Sequence, residues 1–258
     1  MIHIHDVHKR FGGLPVLRGV SLALTPSRVT AVVGPNAGGK STLIRCILGL
    51  SRPDRGRITL SDGRDVRLPE TRAALGYMPQ QPNFPENLTG HEVLAMLDAL
   101  RPDVVPDGAL LDRFQVADQL DKPVRTLSGG TRQKLSAVIA FRYRPSLLIL
   151  DEPTAGLDPL AASVFKSAVI AARDTGATIL LTTHVVAELA VLADEIAFLL
   201  DGEIRVASPI AALLRDTETS TLDAALVALM QAPAASIPAA ALESGAQRRV
   251  RIVGESPL

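Results

Sequence analysis

Two glycine-rich stretches and one acidic strand end contain the residues of this chain whose types and spacing could do chemistry. The first stretch, GPNAGGKS at residues 34–41, has the spacing G-x-x-x-x-G-K-[ST] of a phosphate-binding loop. It follows the apolar run Val29–Val33 and precedes an apolar, helix-forming segment that extends through Leu50. A strand, a tight loop and a helix are therefore predicted. This order points backbone N–H groups and the positive end of the helix dipole at an anion, for which phosphate is the natural occupant.

The polar residues of this loop suit separate tasks in phosphate binding. Gly34 and Gly39 allow close backbone approach to phosphate oxygens, and Lys40 places an ammonium group near the β and γ phosphates. Ser41 supplies a hydroxyl group to Mg²⁺. The alternative is a chance glycine-rich turn, but the match in a strand-to-helix context favours phosphate binding.

Acidic residues and a histidine follow two further apolar runs, Leu147–Leu150 and Thr178–Leu181. After the first run, Asp151 is predicted to hold Mg²⁺ through its water shell, and Glu152, offset by one residue, to face an attacking water as general base. Taken alone, two acids after a strand usually mark only a solvated strand end. Because these two follow both glycine-rich stretches along the chain, they are interpreted as catalytic. His184 follows the second run and is predicted to bond a γ-phosphate oxygen. A lone histidine is more often structural, but the carboxyl end of a core strand is where open α/β sheets bind ligands.

Composition excludes several classes of protein. The 258 residues are 47% hydrophobic, which is enough for a sizeable core, and the 27 basic and 27 acidic residues leave no net field to attract nucleic acid. The single cysteine, Cys46, is predicted to be a small core residue. No apolar run resembles a signal peptide or reaches the roughly 18 residues of a membrane span. The sequence favours a cytoplasmic chain that acts at a membrane only through another polypeptide.

The hydrophobic pattern predicts the elements that position these residues. Short strands at Ile2–Val7, Val20–Leu24 and Ile58–Leu60 suggest an antiparallel flank. Residues 79–89 are predicted to form a loop, and apolar residues at helical spacing predict a helical subdomain from Gly90 to about Asp121. Ser128 is the predicted N-cap of the next helix. The two apolar runs flank a helix at Leu160–Arg173, which is the βαβ order of a parallel sheet.

Together with LSGGTRQ at residues 127–133, these stretches resemble the nucleotide-binding subunit of an ATP-binding cassette (ABC) transporter over about residues 1–206. The signature LSGGT separates this family from other phosphate-loop ATPases. The resemblance implies an α/β P-loop NTPase core with a parallel sheet, an antiparallel β flank and an inserted helical subdomain at about 81–125. Residues 207–258 would form a short helical or irregular extension. ATP and Mg²⁺ are the implied cofactors, and a second copy or a related cassette is the implied partner, meeting this chain head to tail around two ATP molecules.

The resemblance also assigns nucleotide contacts to individual residues. Ser128 and Gly130 would contact the γ phosphate bound to the partner chain, which agrees with a helix N-terminus acting as an anion site, and Gly129 between them is also an implied nucleotide contact. Phe11 would stack on adenine, against the alternative of a core phenylalanine at a strand end. Within the phosphate loop, the remaining implied contacts are Asn36, Gly38 and Thr42.

Two further positions bear on the signal between subunits. Gln80 matches the glutamine that touches Mg²⁺ and the attacking water, although the neighbouring Gln81 leaves this assignment open by one residue. Asp158 matches a loop that communicates across the dimer. Two positions depart from the family pattern: Ala37 stands where glycine is usual and must accept a backbone conformation that glycine takes more easily, and Thr131 replaces a glutamine. Neither departure predicts inactivation.

The functional expectation is an ATP-hydrolysing subunit that drives transport through separate membrane permease subunits, peripheral at the inner face of the cell membrane. Residues 84–100 are the implied docking surface. The short insert and the absence of a large regulatory domain favour an export type. The alternative is a soluble ABC ATPase in cofactor assembly or in nucleic-acid or ribosome work, although zero net charge gives no support to nucleic-acid binding. A switch without turnover is disfavoured by the complete catalytic set.

Overall fold

The computed structural model describes residues 2–231, which fold into two β-sheets surrounded by helices. The strands are β1 (Ile2–Phe11), β2 (Leu14–Leu24), β3 (Val29–Val33), β4 (Arg55–Leu60), β5 (Leu75–Met78), β6 (Leu147–Asp151), β7 (Thr178–Thr182), β8 (Glu195–Leu200) and β9 (Glu203–Pro209). The α-helices are α1 (Lys40–Ile47), α2 (Pro69–Ala73), α3 (Gly90–Ala99), α4 (Ala109–Phe114), α5 (Gly129–Phe141), α6 (Pro159–Asp174), α7 (Val186–Leu192), α8 (Ile210–Asp216) and α9 (Leu222–Gln231). Short 3₁₀ turns lie at Ala117–Gln119 and Val124–Thr126.

The smaller sheet is the predicted antiparallel flank, with strand order β2-β1-β4. Its strands are longer than predicted because Phe11 pairs with Leu14 and closes a hairpin across the two glycines between them. The register of β1 against β2 shifts between Ile4 and Val7, where Asp6 has a positive φ of 48°. An irregularity of this kind bends a strand locally and increases its twist.

The larger sheet has the order β5-β6-β7-β3-β8-β9, and all neighbouring pairs are parallel except β8 and β9. Every residue of β3, β6 and β7 is buried, as expected for parallel strands covered on both faces. The α6 helix begins at Pro159 after an Asp158 cap, one residue before the predicted start. The predicted α/β core is confirmed, and the carboxyl ends of β3, β6 and β7 meet at one edge of the sheet.

The predicted helical subdomain is divided into α3, α4 and a 3₁₀ turn. The break after α3 contains Pro102 and Pro106, which cannot donate helical hydrogen bonds. A bidentate ion pair fastens this insert to the core: Arg142, at the end of α5, donates from Nε and a terminal nitrogen to the Asp98 carboxylate at 2.7 and 2.5 Å. Such a two-bond geometry fixes orientation as well as distance.

The main sheet continues past the predicted end of the core at residue 206, because β9 runs to Pro209. The helices α8 and α9 then pack on β8, where Leu213, Leu226 and Leu229 share a buried cluster with Phe198. The predicted tail after Gln231 lies outside the described residues. Between residues 2 and 231, no helix is both long and apolar enough to cross a membrane.

Candidate active site

A cavity of about 360 Å³ lies at the carboxyl ends of the central parallel strands. Most of the residues predicted for the site line it: Asn36, Gly38, Gly39, Lys40, Ser41, Thr42, Gln80, Asp151, Glu152 and His184. Leu14, Val16 and Ala37 complete the lining. Four separate segments, which follow β3, β5, β6 and β7, are thereby brought to one place.

The phosphate loop depends on backbone conformations that residues other than glycine rarely adopt. Gly34 has φ 152°, and a Cβ atom there would stand 2.0 Å from the Leu199 carbonyl oxygen of β8. Gly39 has φ 104° at the N-cap of α1. Ala37 has φ 63°, which confirms that it accepts a backbone conformation that glycine takes more easily; this conformation is left-handed. Left-handed backbone costs an L-residue about 1–2 kcal/mol, and the loop therefore holds Ala37 under strain.

Lys40 lies in the floor of this loop and is buried. Its Nζ donates to the carbonyl oxygens of Gly34 and Pro35 at 2.7 and 2.9 Å, which draws the two ends of the loop together. Burial lowers the pKa of Lys40, while the nearby Glu152 and Asp151 carboxylates oppose that shift. The ammonium group thus occupies a desolvated position where it is well placed to attract an anion.

Two neighbouring carboxylates leave the end of β6 in different directions. Asp151 is buried and accepts a hydrogen bond from Thr182 Oγ1 at 2.5 Å. Glu152 has a positive φ of 48°, which turns the chain sharply after the strand. Its N–H donates to the Thr182 carbonyl oxygen at 3.0 Å and also faces Thr182 Oγ1 at 3.2 Å. Thr182, which sequence reasoning missed, therefore orients both acids.

Glu152 and His184 form a pair across the cavity. Glu152 Oε1 lies 3.0 Å from His184 Nε2, a distance that suits an ion pair, although the two groups are not aligned for a hydrogen bond. Burial raises the pKa of the Glu152 carboxyl, and the charges of His184 and Lys40 act in the opposite direction. A desolvated carboxylate with a raised pKa is suited to take a proton from water.

The signature lies outside this cavity. Ser128 caps α5 as predicted, because its Oγ accepts from the Thr131 N–H at 3.0 Å. Ser128 and Gly129 are exposed, and a Cβ added at Gly129 would meet no atom within 4 Å. The Thr131 hydroxyl donates to Gln119 Oε1 at 2.8 Å, so the residue that departs from the family pattern ties the signature helix to the insert.

Asp158 and Phe11 also lie outside the cavity lining. Asp158 caps α6 by accepting from the Ala161 N–H at 2.8 Å, and it pairs with Lys134 of the signature helix at 3.0 Å. Phe11 is 50% exposed, and Lys9 Nζ lies over its ring, 5.6 Å from the centroid. Its stacking role stays a prediction. The apolar side chains Leu14 and Val16, on the next strand, were missed because an alternating strand gives no sign of which neighbours border a ligand.

Residues 17–155, which include the phosphate loop, the signature and the acidic strand end, match the family described as ABC transporter. The chain belongs to the ABC transporter family. It is thus an ATP-hydrolysing subunit of this family, with ATP as its nucleotide.

Relatives of this ABC ATPase are named for both directions of transport. The Nod factor export ATP-binding protein I of Azorhizobium caulinodans is 34% identical over 81% of this chain and 67% of its own length. The phosphate import ATP-binding protein PstB of Salinibacter ruber is 33% identical over 81% of this chain and 90% of its own length. A solved ATP-binding subunit of an ABC transporter superposes with a TM-score of 0.82 at 30% identity, covering 90% of this chain and 100% of that one.

Proposed function

We propose that this chain binds Mg²⁺ and ATP in the cavity beside Lys40, hydrolyses ATP with Glu152 as general base, and does so as a head-to-tail dimer. The observation that carries the proposal is that the functional residues lie in two separate places on the chain. The phosphate loop, both acids and His184 share one cavity, while the signature presents an exposed helix N-terminus outside it.

The donor set fits Mg²⁺, which prefers oxygen ligands. Ser41 would contribute its hydroxyl oxygen, Asp151 its carboxylate and Gln80 its amide oxygen, and all three line the cavity. When bound, the ion would neutralise charge on the phosphate oxygens. The hydrogen bond from Thr182 to Asp151 holds the carboxylate in one rotamer before any ion arrives.

Glu152 is the residue we assign to the attacking water. Its left-handed backbone and its two bonds to Thr182 hold the carboxylate apart from Asp151, so that one acid serves the metal and the other the water. His184 would bond the γ phosphate and relay its loss, since its imidazole is half exposed and stands next to Glu152. Lys40 would stabilise the charge that develops on the transferred group.

The exposed start of α5 supports the proposed dimer. The first N–H groups of a 13-residue helix form an anion site, and Gly129 leaves room for close approach by a phosphate. Because the signature residues do not line their own chain's cavity, the γ phosphate they would contact is the one held by a partner chain. Asp158, paired with Lys134 beside the signature, would then lie at the same interface.

Transport through separate membrane permease subunits is the proposed use of hydrolysis, with the chain peripheral at the inner face of the membrane. The helical insert carries exposed apolar side chains, namely Met96, Leu100, Val104 and Val105, which suit a docking surface.

We propose export as the direction, supported by the relative named for Nod factor export. We also propose residues 1–209 as the ATPase domain, beyond the expected end at 206 because β9 ends at Pro209, with the helical subdomain at about 81–125 and the remainder as an extension.

Affinity purification from gently solubilised membranes tests this function. A multi-spanning partner identified by mass spectrometry, together with ATPase activity that is lost in Glu152→Gln, is the expected result. The identity of that partner also decides between export and import. Recovery with a soluble scaffold or nucleic acid instead would overturn the transport proposal, even with ATP hydrolysis intact.

A further inference from the structure

A buried carboxylate outside the cavity joins the two segments that carry Glu152 and His184. Glu188 lies in the first turn of α7 and is 5% exposed. Its Oε1 accepts from Thr154 Oγ1 at 2.5 Å, and its Oε2 accepts from Thr183 Oγ1 at 3.0 Å. Thr154 is two residues after Glu152, and Thr183 immediately precedes His184. One carboxylate therefore holds both segments at once.

Glu188 and its two threonine partners, Thr154 and Thr183, form what we call the clamp. Further contacts of the clamp restrict the position of His184. Thr183 Oγ1 also accepts from the Val185 N–H at 3.1 Å, so its hydroxyl hydrogen is directed at Glu188. Thr183 is itself buried. On the other side, the Glu152 N–H is fixed to Thr182. The segment after β6 is thus attached at two points: the backbone of Glu152 bonds the last residue of β7, and the side chain of Thr154 bonds Glu188, which also holds Thr183.

We infer that Glu188 is a positioning residue, which sets the distance between the Glu152 carboxylate and the His184 imidazole through Thr154 and Thr183. The inference rests on the proposed roles of Glu152 and His184. Glu188 does not line the cavity and so makes no contact with nucleotide. Removing its oxygens would leave two threonine hydroxyls without their acceptor and release the two segments from each other. Small displacements of reacting groups lower the rate of a chemical step much more than they lower binding.

The structure offers a matched control at the opposite end of the sheet. Glu195, the first residue of β8, accepts from Thr25 Oγ1 at 2.9 and 3.1 Å and from Thr30 Oγ1 at 3.1 Å. It is also a glutamate that joins two threonines. Its partners lie at the amino end of the parallel strands, away from the cavity. Replacing Glu195 disturbs the same kind of cluster without touching the site.

The test is steady-state ATP hydrolysis by the full chain, with kcat and KM determined separately. Glu188→Met is expected to lower kcat by about tenfold or more while KM for ATP changes less than about twofold. Glu188→Gln keeps an acceptor oxygen and an amide that the Thr154 hydroxyl can accept from, so it is expected to restore kcat to within about threefold of wild type. Glu195→Met is expected to leave kcat within about twofold of wild type.

The outcomes separate this inference from the function it rests on. Wild-type activity in Glu152→Gln would refute the role of Glu152 itself. If Glu152→Gln is inactive but folded Glu188→Met keeps its kcat, only the inference about Glu188 is wrong. Equal losses in Glu188→Met and Glu195→Met would also overturn it, since that result is a general loss of structure. Should Glu188→Met not fold, Thr154→Val and Thr183→Val each remove one donor at constant volume, and unchanged kcat in both rejects the clamp.

Discussion

Replacing Thr182 with valine removes one hydroxyl group at the end of β7 and preserves the shape of the side chain. Thr182 is fully buried, and its hydroxyl donates to Asp151 Oδ1 at 2.5 Å. A hydrogen bond to a charged group contributes about 1.5–3 kcal/mol. The Glu152 N–H keeps its bond to the Thr182 carbonyl oxygen at 3.0 Å, so only the Asp151 bond is lost without replacement. We expect Thr182→Val to lower the free energy of unfolding by about 2 kcal/mol.

Thr71→Val is the matched control. Thr71 is 2% exposed, and its hydroxyl has no hydrogen-bond partner among the described residues. Burying a hydroxyl without a bond costs about 1–3 kcal/mol, so the same chemical change is expected to raise the free energy of unfolding here by about 1 kcal/mol.

Urea unfolding of both variants without nucleotide at pH 7 measures this difference, which we expect to be about 3 kcal/mol. The midpoints should move to opposite sides of wild type at an unchanged slope. Midpoints that move in the same direction would refute the reasoning, since the local hydrogen bonding would then not decide whether the substitution stabilises or destabilises the fold.

Three further substitutions test the loop and the acid at the site. Ala37→Gly relieves about 1–2 kcal/mol of left-handed strain, but the greater entropy of the unfolded chain costs roughly 0.4–1 kcal/mol. Urea unfolding should therefore show a net rise of about 0.5–1 kcal/mol in the free energy of unfolding. Gly34→Ala places a Cβ atom 2.0 Å from the Leu199 oxygen and should destabilise by more than about 3 kcal/mol in the same assay, whereas a mild effect would contradict this packing. Glu152→Gln should lower ATPase activity about a hundredfold or more and raise the melting temperature. Because burial raises the pKa of Glu152 in the folded state, the cost to stability is absent below the ordinary glutamate pKa and grows as the pH rises through the folded-state pKa. The gain in melting temperature should therefore be larger at pH 8 than at pH 4.

Much of the fold could be predicted because its signals are local. The phosphate loop, the Ser128 cap and the buried strands β6 and β7 each depend on a few consecutive residues, and the structure confirms them. The unfavourable backbone conformation of Ala37 was also predictable, because this residue stands where glycine is usual. Boundaries were less certain: β9 passes the predicted end of the core at residue 206, because its pairing with β8 decides where it stops.

The supporting contacts of the site could not be predicted from one sequence. Thr182, Thr154 and Glu188 are ordinary polar residues in the chain, and their importance arises only when β6 and β7 lie side by side. Nor could sequence reasoning foresee that Phe11 would be absent from the cavity lining while Leu14 and Val16 border it. The side chain that faces a ligand at a hairpin depends on register and bulges.

The head-to-tail dimer is tested most directly by mixing two variants that are each inactive. The first chain carries Glu152→Gln, which removes the general base. The second carries Gly129→Asp, which places a negative charge against the partner's γ phosphate yet suits the start of α5, where an acidic residue stabilises a helix and a Cβ meets no neighbour.

If each site combines the phosphate loop of one chain with the signature of the other, a mixed dimer has one intact site. Random mixing should then restore roughly a quarter of wild-type ATPase activity, since half of the dimers are mixed and each has one site of two. If each chain uses its own signature, both sites in every mixed dimer contain a defect. Mixtures that form dimers but remain inactive would therefore contradict the account.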